Sequence, residues 1–278
     1  MCLHTDIPMA SRPFNTSYSR QLALWVLRAF SPGLARDLFI RHSNYADQDI
    51  AIFLGLPPEP DADNISAIYR QLAAMLAGME KTPAAVGLPI HAIRNFAELG
   101  LIFKLNPTEI AVLQFFACTC LEPVLSDTQR LIDTFIASNP VRYYATVLGL
   151  PRPAVEKALS LNGRLIKCGL ITLSGSRSKD LEFFSRPVAQ QLFHKAFDRE
   201  EVLKQFGVSP PPPILGLVDF PHVKPSLDLL IPYLKNAISR RKGGVNILFH
   251  GPPGTGKTQL ARVLGAVIGV PVFEFATE

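Results

Sequence analysis

The chain has 278 residues, of which 48% are hydrophobic and 18% charged. That balance provides for one large core or two ordinary ones and excludes a chain disordered over most of its length. The formal charge of +5 and isoelectric point near 9.1 are mildly basic, which is as common in proteins without a polyanionic partner as in those with one, so charge alone selects no partner.

The first predicted helix covers residues 16–30, where Leu22, Leu24, Trp25, Leu27 and Ala29 make an apolar side and Ser31-Pro32-Gly33 breaks the run. Helical patterns continue over residues 34–41, 47–54 and 63–77, with Pro57-Pro58-Glu59-Pro60 as a loop between the last two. Asn106-Pro107-Thr108-Glu109 reads as a helix start, with Asn as the cap, Pro in the first turn and Glu three residues after the cap. The strongly apolar helix that follows runs to about residue 121, and a further one covers 126–137, stopped by Asn139-Pro140.

Next come a helix over 141–148, Gly149 as its C-cap, a turn through Pro151 and a helix over 153–168 ended by Gly169. Residues 170–174 and 181–184 alternate like two strands, joined by the polar turn 175–179. This order of helix, turn, helix and hairpin resembles the winged-helix domains of bacterial regulators. The resemblance implies a second helix able to enter a major groove, with Arg152, Lys157, Ser160 and Arg164 on its exposed side and Arg177 and Lys179 on the wing. Glu156 puts a negative charge on that face, and no dense Lys/Arg run is present. A protein partner is therefore expected ahead of DNA.

Ser209-Pro210-Pro211-Pro212-Pro213 can be neither helix nor central strand and is expected to be a linker. The expected organisation is a helical N-terminal region over 1–105, a winged-helix-like region over 106–208, the linker 209–213 and a further domain from 214 to 278. In fold class this is a mainly α region followed by the start of an α/β unit.

Residues 245–249 form an apolar run of strand length. Gly251, Pro252, Pro253, Gly254, Thr255, Gly256, Lys257 and Thr258 follow, matching G-x-x-x-x-G-K-[ST]. Residues 259–268 then read as a helix with Leu260, Val263, Leu264, Val267 and Ile268 on its apolar side. Strand, glycine-rich loop and helix together form the context in which this motif cradles nucleotide phosphates. The glycines allow backbone N–H groups to converge on the phosphates, and the helix start adds its positive dipole end. Lys257 is expected to reach the β- and γ-phosphates of ATP, Thr258 to ligate Mg²⁺, and Gln259 to complete the cradle.

The spelling Gly-Pro-Pro-Gly-Thr-Gly-Lys-Thr resembles the Walker A loop of AAA+ ATPases, and the likeness covers roughly residues 214–278. Residues 214–221 look like the segment that in this family precedes the first helix and lies near the adenine, and 270–275 look like the second strand. The chain is most similar to bacterial AAA ATPases with a long helical N-terminal region. The resemblance implies ATP hydrolysis coupled to remodelling of a macromolecular partner, in a homo-oligomeric ring. The alternatives are a DNA-directed ATPase or regulator using the winged helix, and a nucleotide-binding fragment that does not hydrolyse. The acidic strand, sensor and arginine finger of the family do not appear before Glu278, so the chain is expected to be an N-terminal fragment that lacks turnover by itself. Glu274 and Glu278 fall on or beside the second strand and are not candidates for a catalytic base.

His250 before the loop reads as a packing residue, and His4, His42, His91, His194 and His222 show no metal-ligand spacing. Cys2, Cys118, Cys120 and Cys168 have neither disulfide-like nor zinc-like spacing. Asp6 and Pro8 stand where a signal peptide needs an apolar run, and no stretch approaches the ~20 apolar residues of a membrane span. A cytoplasmic protein without a membrane partner is expected.

Overall fold

The computed structural model describes residues 16–32, 34–41, 44–60, 64–82, 86–174, 180–183, 185–195 and 210–274. Arg177 and Lys179 of the expected wing, Ser209 of the linker, and Glu278 lie outside them. The chain divides into two units, Met1–Arg199 and Glu200–Glu278.

The first unit is built around two helices. α1, Ser17–Ala29, starts at a reciprocal cap in which Thr16 Oγ1 accepts from Ser19 N at 3.0 Å and Ser19 Oγ accepts from Thr16 N at 3.2 Å. Every residue from Leu22 to Leu27 is buried, so α1 is covered on all sides. Short elements follow: α2 (Arg36–Phe39), the hairpin of β1 (Ile40–Arg41) and β2 (Asn44–Tyr45), α3 (Gln48–Phe53) and the long α4 (Ile65–Lys81). The helix expected over 34–41 is cut to four residues because the chain turns into this hairpin, where Phe39 stacks on Phe30 at 4.5 Å and meets Tyr45 at 5.4 Å.

α5, Ile90–Phe103, is a further helix with no local start signal, since its N-cap, Pro89, makes no side-chain cap. α6, Pro107–Leu121, begins as expected: Asn106 Oδ1 accepts from Glu109 N at 3.0 Å and Glu109 Oε2 accepts from Asn106 N at 2.8 Å. A Cβ on Gly100 of α5 would lie 2.6 Å from Ile110 Cδ1, so glycine allows the two helices to approach closely. The helix expected over 126–137 is two, α7 (Pro123–Leu131) and α8 (Asp133–Ser138), broken at the fully buried Ile132. No local breaker marks that position; burial of Ile132 wins over helical continuity.

α9 (Pro140–Leu148) ends at Gly149 in the left-handed conformation, φ 68°. The expected 153–168 helix is again two, α10 (Arg152–Ala158) and α11 (Arg164–Lys167). Between them Ser160 Oγ donates to Lys157 O at 3.0 Å and Gly163 N donates to Ser160 O at 2.7 Å, replacing helical bonds with a turn. β3 (Ile171–Ser174) and β4 (Asp180–Phe183) pair antiparallel with Ile171 opposite Phe183. α12, Arg186–His194, closes the unit: Asn95, fully buried, donates through Nδ2 to Leu192 O at 2.8 Å and Lys195 O at 2.6 Å, satisfying carbonyls at the end of that helix.

The apolar contacts meet in an aromatic cluster. Trp25 meets Phe115 edge-on at 5.1 Å, and Phe116 and Tyr143 pack on Tyr144 at 5.1 and 5.0 Å. Tyr18 donates to Glu122 Oε1 at 2.7 Å, tying α1 to the end of α6. Burial pushes the Tyr18 hydroxyl and the neighbouring Cys118 thiol well above their ordinary ranges, so both stay protonated. No single helix among the described residues is long and apolar enough to cross a membrane.

Leu113→Ala, at a fully buried position of α6, is expected to destabilise the first unit by about 2–5 kcal/mol, against less than about 0.5 kcal/mol for Ile52→Ala, which is 64% exposed. Urea unfolding followed by far-UV circular dichroism checks the contrast.

Candidate phosphate-binding loop

The described part of the second unit has no regular structure at 210–213, then two single 3₁₀ turns, Leu217–Asp219 and Pro221–Val223, leading into α13, Lys224–Ser239. Asp219 Oδ2 accepts from Gly216 N at 2.7 Å and fixes the first turn. α14, Lys257–Ile268, packs on α13 through a small core of Phe220, Leu227, Leu260, Val263 and Leu264.

Residues 251–256 form the loop that leads into α14. Gly251, Gly254 and Gly256 have φ of 144°, 81° and 79°, conformations that L side chains rarely adopt. At Gly256 a second constraint applies, because a Cβ there would lie 3.1 Å from Phe220 Cε1. The aromatic ring thus braces the loop where the helix starts. Lys257 folds over the loop: its ammonium donates to Pro252 O at 2.7 Å, Gly251 O at 3.0 Å and Thr255 Oγ1 at 3.3 Å. Thr255 Oγ1 also donates to Pro252 O at 3.0 Å. Thr258 is exposed in the first turn of α14.

Gln259, in the first turn of α14, accepts through Oε1 from Ile214 N at 3.4 Å. That bond and the Phe220 contact bring the 214–220 segment beside the loop. The structural role of Phe220 had one sequence signal, an apolar residue in the run 214–221, but nothing local identifies the glycine it touches.

The strand expected at 245–249 carries no regular strand pairing, and Leu248 is 85% exposed. A strand needs a neighbour for its backbone groups, and none pairs with this segment among the described residues. The second expected strand is represented by an isolated bridge at Glu274. Glu274 instead forms a two-point ion pair with Arg262 of α14, Nε to Oε1 at 2.7 Å and Nη2 to Oε2 at 3.0 Å. Residue spacing gave no hint of this pair. His250 and His222 are exposed, and no group of three His, Cys, Asp or Glu among the described residues is placed to hold a metal.

The Arg262 hydrogen bonds hold the Glu274 carboxyl below its ordinary range. A depressed folded-state value means that the tie is fully present above the unfolded-state value and is lost as pH falls through the folded one. The Glu274 side-chain carbon, followed by NMR, is expected to titrate at lower pH than free glutamate, and Arg262→Met should move the midpoint upward.

Comparison with known proteins adds a likeness confined to part of the chain. The model of the "ATPase family associated with various cellular activities (AAA)" matches residues 247–278. The ATP-dependent zinc metalloprotease FtsH 2 of Symbiobacterium thermophilum is 46% identical over 56 residues, which are 19% of this chain and 10% of that relative. The match therefore spans about a tenth of the relative's length. No solved structure matches the chain. Over residues 247–278 the chain is thus similar to AAA-family ATPases.

Proposed function

We propose that Gly251 to Thr258 form a Walker A loop that binds ATP with Mg²⁺, and that the full-length protein couples ATP hydrolysis to remodelling a protein partner as a homo-oligomeric ring. The carrying observation is Lys257, held over a loop of three positive-φ glycines at the head of α14. Its present acceptors are neutral carbonyls and a hydroxyl. Phosphate oxygens are charged acceptors and form stronger hydrogen bonds with an ammonium. The helix start adds partial positive charge, and the Phe220 ring lies against Gly256 where the loop enters the helix. Thr258 is the residue that would hold Mg²⁺, whose bound charge would neutralise the phosphates. Gln259, bonded to Ile214 N, would help position the segment beside the nucleotide.

Removing the Lys257 ammonium takes away a charge-assisted contact worth ~1.5–3 kcal/mol. Lys257→Ala is therefore expected to weaken ATP·Mg²⁺ binding roughly ten- to a hundredfold. Calorimetry on the wild type and variant tests the loop; equal affinities would reject it. Residues 1–278 are expected to bind ATP without turning it over, because hydrolysis also needs a positioned water and a transition-state charge stabiliser. Phosphate release abolished by Lys257→Ala would reject that expectation.

For residues 106–208 we propose a winged-helix-like module directed at protein. Arg164, one of four residues expected on a DNA-facing surface, is already engaged at the surface: Nη1 donates to Lys104 O, and Glu109 lies 3.8 Å away. Lys104 sits in the left-handed conformation at the end of α5, φ 54°, so Arg164 braces a strained helix terminus. Of the others, Ser160 bonds back to Lys157 O. Arg152→Ala and Lys157→Ala are expected to leave binding to random duplex weak and unchanged in fluorescence anisotropy at low salt. Tight, salt-sensitive binding lost in those variants would favour the DNA-directed alternative.

A further inference from the structure

α1, α2 and α4 enclose a cleft of about 420 Å³ in the first unit, open to solvent along one side. Its floor is apolar, formed by Leu27 and Phe30 at the end of α1 and by Leu72 and Leu76 of α4. Its rim carries Arg36, Tyr69 and Arg70. The Arg36 guanidinium lies over the Tyr69 ring, 4.8 Å from carbon to centroid. Its Nε donates to Asp37 Oδ1 at 3.2 Å, and Arg70 Nε donates to Ser66 O at 3.3 Å. The terminal amino groups of both arginines have no partner among the described residues. No acidic side chain lines the cleft among those residues; Asp37, beside the rim, is 82% exposed at its side chain.

α4 points the same way. It is rich in Ala, Leu, Ile and Met, yet of its residues only Ile68 and Leu72 are buried. An apolar helix left largely uncovered, next to two guanidinium groups with donors to offer, complements a chain that places carboxylates beside aliphatic side chains. The open side suits a segment lying across the cleft better than a small molecule, which is usually enclosed over most of its surface. Stacked bases suit it poorly, since the Tyr69 face is covered by Arg36 and Phe30 is buried.

We propose that this cleft is a docking site for a short acidic and aliphatic segment of a partner protein. Leucine, isoleucine or methionine side chains rest on the floor, and aspartate or glutamate carboxylates take the terminal amino groups of Arg36 and Arg70. The site belongs to the first unit alone and stands whether or not the loop at 251–258 binds ATP, so its test is run without nucleotide.

The test is panning of a random twelve-residue peptide library on the 278-residue chain, with counter-selection on the Arg36→Glu, Arg70→Glu double variant. The recovered peptide is then synthesised and measured by fluorescence anisotropy. Expected is enrichment of Asp or Glu next to Leu, Ile or Met, and a loss of affinity of about tenfold or more in each single Arg→Glu variant. Ala73→Trp, which fills the cleft without changing charge, should also weaken binding, with unchanged circular dichroism in all three variants. The proposal is overturned if nothing is enriched, if the peptide binds the double variant as well as the wild type, or if replacing its carboxylates by amides has no effect. Stoichiometric displacement of the peptide by dodecanoate would assign the cleft to a small amphiphile and overturn it as well.

Discussion

A helix whose apolar residues lie on every side is stable in water only when other elements enclose it. α6 is such a helix: Val112, Leu113, Phe115, Phe116, Ala117 and Cys118 are all buried. α1 is another, from Leu22 to Leu27. The remaining helices of the first unit serve as their cover, and several bury only one stripe. α5 packs Ala92, Asn95, Phe96 and Leu99 inward and exposes Leu101 at 72%, while α9 buries Tyr143, Tyr144 and Val147. The Trp25–Phe115 contact, a side chain from each central helix, is where the two demands for burial are met together.

Enclosing apolar helices brings helix ends inside, and each end carries backbone groups that need partners. Asn95 answers this at the end of α12 and Arg28 by donating to Val147 O at 3.2 Å near the end of α9, while Arg164 reaches Lys104 O at the exposed end of α5. Arg28 also pairs with Glu80 of α4 at 3.2 Å, so one side chain ties three helices. These polar contacts fix which helix end meets which neighbour, a choice that apolar burial, being non-directional, leaves open.

What could be read from the sequence was local, and what could not was tertiary. The Asn106–Glu109 cap, the Gly149 stop and the glycine-lysine loop each depend on residues within a few positions, and their geometry follows the pattern of residue types. The break at Ile132 and the division between α10 and α11 arise from burial and from a turn competing with the helix. α5 escaped notice because it starts without a polar cap. Residues 245–249 have the composition of a strand, but strand structure is a property of a pair. Within the candidate site the loop itself was legible, whereas Phe220 against Gly256 and Arg262 on Glu274 join residues with no spacing signature. The path of 214–220 beside the loop has a physical cause in Phe220, whose ring lies where a Cβ at Gly256 would come within 3.1 Å of it.

The mild positive charge of the chain takes on meaning only residue by residue. Arg28 and Arg164 are engaged with carbonyls and carboxylates that hold helix ends, and Arg262 clamps Glu274 in a two-point pair. Each of the three already has a partner within the fold. Arg36 and Arg70 differ: each uses Nε close to home and keeps its terminal amino groups at the edge of an apolar cleft. Lys257 differs in another way, because its neutral acceptors are ones a phosphate can outcompete. Among these six cations the local surroundings divide them: Arg28, Arg164 and Arg262 hold parts of the fold together, whereas Arg36, Arg70 and Lys257 keep donors or neutral acceptors that a charged ligand would compete for. Local surroundings, more than the net charge, therefore decide which cations would favour an anionic ligand.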